Sequence, residues 1–96
     1  MKTFKQFTES KKQLYFPSYT EAVEYALNDA KKKYQVDEGE VAQIVGLNSN
    51  RPKEGDTTRL QIPLYRAGSW SKTSLNIQVY NRGGNSNPFE LNFYIS

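Results

Sequence analysis

Residues 72–80 read KTSLNIQVY. Leu75, Ile77 and Val79 alternate here with Ser74, Asn76, Gln78 and Tyr80. A period of two puts one set on each side of an extended chain, so the stretch reads as a strand with one buried and one wet face. The pattern recurs on both sides. In Thr58–Arg66, Leu60, Ile62 and Leu64 alternate with Arg59, Gln61, Pro63 and Tyr65. In Pro88–Ile95, Phe89, Leu91, Phe93 and Ile95 alternate with Glu90, Asn92 and Tyr94. Ala67–Ser71 and the glycine-bearing Asn81–Asn87 separate the runs as turns. Three consecutive strands joined by short turns form an antiparallel meander. Pro63 lacks an N–H for a ladder, which assigns its strand to an edge or a bulge.

Upstream the period changes to 3.6. Ser18 and Glu21 match a capping box, with Ser18 as N-cap and Glu21 three residues on. Ala22, Val23, Ala26, Leu27, Ala30 and Tyr34 then form one apolar stripe, predicting a helix over Tyr19–Tyr34. Lys31, Lys32 and Lys33 suit its C-terminal end. Val41–Leu47 reads as a further strand, the least regular of the four, and Asn48–Asp56 as a polar loop. The expected fold is α+β: a two-layer sandwich with one main helix on a mainly antiparallel four-stranded sheet, in the order α-β-β-β-β. Residues 1–16 read as an N-terminal tail ended by Pro17, and residues 17–96 as a single domain.

Composition narrows the chemistry. The chain has 96 residues, no cysteine and no histidine. A disulfide scaffold and thiolate zinc sites are excluded, and a reducing compartment is expected. The usual proton shuttle and commonest metal ligand are missing. No Ser-His-Asp or Cys-His arrangement can be built, so the reading is a binding protein, not an enzyme, with no cofactor. Asp37, Glu38 and Glu40 lack the ligand spacing of a calcium loop, so no metal is expected. No run approaches the roughly 20 apolar residues of a membrane span. The net charge is +3, with basic ends and an acidic middle, a balance that tolerates nucleic acid nearby without demonstrating contact.

Two surfaces stand out. The wet sheet face interleaves Tyr65, Tyr80 and Tyr94 with Arg59, Gln61, Asn76, Gln78 and Asn92. Rings among amides and a cation suit a protein partner. They also suit a single-stranded nucleic acid, whose bases stack on such rings. Tyrosine is in addition simply a good strand former. The second surface is the turn carrying Arg66, Trp70 and Lys72, where the only tryptophan lies between cations and reads as an interface anchor. Arg82 in the following turn is a further contact candidate.

The start of the chain, MKTFKQFTES, places Met1, Phe4 and Phe7 on one helical face among lysines. With Phe7-Thr8-Glu9 followed by Ser10, it resembles the targeting leader of internal head proteins of T-even-type tailed phages. Phe4 stands where that leader more usually has Tyr, and Phe7 serves both the helical face and the cut site. The run Leu75–Gly84 with Phe89–Ile95 looks like the ends of small proteins from large tailed phages of marine cyanobacteria. The resemblance implies a phage accessory protein carried into the prohead by the scaffold. It also implies trimming by the prohead protease after Glu9. The mature chain would sit in the virion interior, then in the host cytoplasm, bound to a host or phage protein.

Overall fold

The computed structural model describes residues 14–47, 51–84 and 86–96. Six elements follow in order: β1 (Tyr15–Phe16), α1 (Tyr19–Ala30), α2 (Glu38–Leu47), β2 (Thr57–Arg66), β3 (Ser69–Asn81) and β4 (Phe89–Ile95). The strands form one antiparallel sheet in the order β1-β4-β3-β2. Helix α1 packs on β3 and β4, and α2 packs on β2. The architecture is the expected α+β sandwich, and β2, with Pro63, does take an edge.

Two elements differ from the sequence reading. Val41–Leu47 is not a strand but most of α2. The fourth strand comes instead from Tyr15–Phe16, at the end of the stretch read as tail. The order is therefore β-α-α-β-β-β, with two helices in the covering layer. The reason is geometric. Four strands span about 14 Å from first axis to last, and one helix is only about 10 Å across. A single helix leaves part of the apolar face bare, and α2 closes it with Val41, Ile44 and Val45. The leader, the Phe7-Glu9-Ser10 site and the Met1-Phe4-Phe7 face lie outside the described residues.

Local chemistry sets the helix starts. The Glu21 N–H donates to Ser18 Oγ at 3.1 Å, the N-cap expected for α1. The Glu40 N–H donates to Asp37 Oδ1 at 3.1 Å, giving α2 the same device. Helix α1 ends at Ala30, four residues earlier than the stripe implied, and Lys31–Lys33 form the turn that follows.

The core is dense. Ile62, Leu64, Leu75, Ile77 and Val79 are fully buried, with Leu60, Phe89 and Leu91 beside them. From α1 come Tyr19, Ala22, Val23, Ala26, Leu27 and Ala30. Alanines at four-residue spacing lower the helix onto the sheet.

The β2–β3 hairpin closes on a two-residue turn between paired Arg66 and Ser69. Ala67 and Gly68 there have φ of 50° and 80°. Such turns want Asn-Gly, because a Cβ is disfavoured at positive φ. Ala67→Asn is expected to stabilise the fold by about 1 kcal/mol. Urea unfolding checks this, and an unchanged or lower midpoint contradicts it.

Candidate functional site

Cross-strand partners share a face of a sheet, so the register maps the outer surface directly. One row runs Tyr15, Glu90, Tyr80, Thr57. The next runs Asn92, Gln78, Arg59, and the third Tyr94, Asn76, Gln61. No described element covers these rows, because both helices lie against the apolar side. Tyr94 is 53% exposed and Tyr80 37%. Arg59, Gln61, Asn76, Gln78 and Tyr94 line a shallow depression of about 250 Å³. The Asn76 amide is oriented by bonds from its Nδ2 to Ser74 O at 3.3 Å and to Ser96 Oγ at 3.1 Å.

Arg82 joins this face at its β1 end. Its guanidinium lies 3.9 Å above the Tyr15 ring, and its Nη2 donates to Asn87 O at 2.8 Å. A cation held by a ring and a carbonyl presents a fixed donor fork at the sheet margin. Tyr15 is the residue the sequence reading missed. It lies in Leu14-Tyr15-Phe16, a short apolar run before Pro17, too brief to show a period.

The structure thus brings together Arg59, Asn76, Gln78, Tyr80, Arg82 and Tyr94. It separates Tyr65, Arg66 and Trp70 from them. The β2–β3 register shifts between Pro63 and Tyr65, where Lys72 adopts a φ of 67°. Beyond the shift, the Tyr65 backbone exchanges two hydrogen bonds with Gln35, at 2.7 and 2.8 Å. The Tyr65 hydroxyl donates to Glu40 Oε1 at 2.9 Å. Tyr65 therefore ties the hairpin to α2 and does not join a platform with Tyr80 and Tyr94. The Arg66 guanidinium sits 4.5 Å over the Tyr34 ring. Trp70, read from the sequence as part of a turn, lies instead within β3 opposite Tyr65, because the turn is only Ala67–Gly68, and it is 57% exposed.

The bond to Glu40 pushes the Tyr65 phenol above its ordinary pKa of 10.0, helped by burial and by the charges of Glu40 and Asp37. The folded chain therefore holds this proton more tightly than the unfolded chain. The stability it confers is complete well below pH 10 and is lost as pH rises through the raised value. Between about pH 9 and 11, wild type is expected to lose more unfolding free energy than Tyr65→Phe. Parallel urea titrations check this, and equal slopes contradict it.

Among the described residues, no group of three or more Asp and Glu is placed to hold a metal. No helix there is long and apolar enough to cross a membrane. No protein-family model matches the chain, and neither a curated protein nor a solved structure matches it.

Proposed function

We propose that this chain is a binding protein that works without catalysis, and that its open sheet face takes a protein partner. The observation that carries this reading is an uncovered face on which Tyr80 and Tyr94 stand among Asn76, Gln78, Asn92 and Arg59. Rings supply apolar area at low entropic cost, and amides supply donors and acceptors for a polar partner.

A nucleic acid is favoured less. Tyr80 and Asn76, the cross-strand partner of Tyr94, lie four residues apart along β3. That is about 13 Å of strand, well beyond the spacing of successive bases. Tyr65, the third ring of a stacking platform, is bound to α2. The face offers two arginines against Glu90, too few cations to track phosphates.

The leader resemblance supports a more specific setting: an accessory protein of a tailed phage, packaged in the capsid, trimmed after Glu9 and delivered with the genome. Its partner would then be a host defence or regulatory protein.

A photo-cross-linking residue at Asn92 tests the face, with Asn28 on α1 as the control position. The expected result is one protein cross-linked from position 92 only, lost in the Tyr80→Ser/Tyr94→Ser double variant. Cross-linking to nucleic acid, weakening steeply with salt, would move the reading to the single-strand alternative. Equal capture from both positions would remove the face as the site. Packaging is tested by the intact mass of the protein in purified virions of a phage encoding it. A species starting at Ser10 is expected; absence from virions overturns that part.

A further inference from the structure

The helical layer contains a second surface, unrelated to the outer face. No Cα of α1 comes within 8 Å of a Cα of α2, so the two helices do not interdigitate as packed neighbours do. Between them lies a groove of about 270 Å³, lined by Tyr19, Val23 and Leu27 from α1 and Val41, Ala42 and Val45 from α2, with Thr20 and Glu24 at its rim. The ion pair between Lys31 and Glu38, at 3.2 Å, links the two helices at the linker end. Just past Val45, Leu47 is 80% exposed.

Two features define what fits. The lining is apolar, and the volume is just under the roughly 300–1,000 Å³ of small-molecule sites. That suits one or two bulky side chains of a docked segment. The single charge on the rim is the Glu24 carboxylate, which has no ion-pair or hydrogen-bond partner among the described residues. An unpartnered carboxylate beside an apolar trough selects a cation next to an apolar anchor.

We propose that this groove docks a short basic amphipathic segment of a partner protein. Apolar anchors spaced three or four residues apart enter between α1 and α2, and a lysine or arginine beside them pairs with Glu24. This is helix-in-groove recognition, and it gives the molecule a contact surface on the side opposite the sheet face.

The test uses the full chain with labelled valine and leucine methyls. The probes are two peptides with the same apolar positions, acetyl-KLFKKLFK-amide and acetyl-ELFEELFE-amide. The basic peptide is expected to shift the methyls of Val23, Leu27, Val41 and Val45 in a saturable way. It should bind at least about fivefold more tightly than its acidic twin. Glu24→Lys, at an exposed position that leaves the core intact, should reverse that order. Equal binding of the twins, no saturable shift with either, or shifts confined to the outer sheet face overturns the proposal. Groove shifts that change on dilution without peptide also overturn it, by giving the groove to a second copy. Loss of binding at the outer face in the Tyr80→Ser/Tyr94→Ser variant leaves these groove shifts unaffected, so the two readings fail separately.

Discussion

Ile77→Ala is expected to lower the unfolding free energy by about 3–5 kcal/mol. Ile77 is 0% exposed, at the middle of the central strand, with Leu60 and Phe93 as its partners on either side. Truncation removes three buried carbons. The neighbours are held by the ladders of β2 and β4, so they cannot close on the cavity. A domain of this length has a total stability of about 5–15 kcal/mol. The loss is therefore a large part of the whole and lowers the melting temperature by roughly 15 °C or more. Urea unfolding is the measurement: the midpoint falls while the slope holds. Ile77→Val, which removes one methyl, should cost about 1 kcal/mol. A loss below about 1 kcal/mol for the alanine variant would mean that β3 does not occupy the centre of the core.

Ala26→Leu should destabilise nearly as much, by about 2–3 kcal/mol, for the opposite reason. Ala22, Ala26 and Ala30 are 0%, 0% and 2% exposed and recur every fourth residue along the side of α1 that meets the sheet. Helix propensity favours both residues almost equally, so the effect isolates packing. Leucine must push α1 off β3 and β4 or force side chains off their rotamers. Asn28→Ala on the exposed side of the same helix is the control, expected to change stability by no more than about 0.5 kcal/mol. If Ala26→Leu leaves the urea midpoint unchanged, α1 does not lie as close to the sheet as its alanines imply.

Both expectations rest on patterns that are local in the chain. The alternation in Thr58–Arg66, Lys72–Tyr80 and Pro88–Ile95 commits each residue to a face, because a slip of one position would expose every buried side chain. The same alternation identified the outer-face candidates Arg59, Asn76, Gln78, Tyr80 and Tyr94. Tyr65 breaks the rule through a contact that local pattern cannot carry: its hydroxyl meets Glu40, 25 residues away. Helix α2 carried a readable signal. Asp37 and Glu40 repeat the Asp/Ser-x-x-Glu spacing of Ser18 and Glu21. Seven residues with two valines and an isoleucine fit either period, and the cap was the better guide.

By itself, then, the sequence determined the meander, the capped start of helix α1, the edge-or-bulge character of the Pro63 strand and the polarity of each sheet face. These follow from side-chain period and backbone chemistry acting within a dozen residues. Tertiary structure decided three things, the second of them together with the local Asp37 cap. Tyr15–Phe16 became a strand because the free edge of β4 supplies the hydrogen bonds that two residues cannot make alone. Val41–Leu47 became helix because one helix is too narrow to cover four strands. Arg82 and Tyr15 came together, and Tyr65 parted from Tyr80 and Tyr94, because sheet order and a shifted register set which distant residues meet.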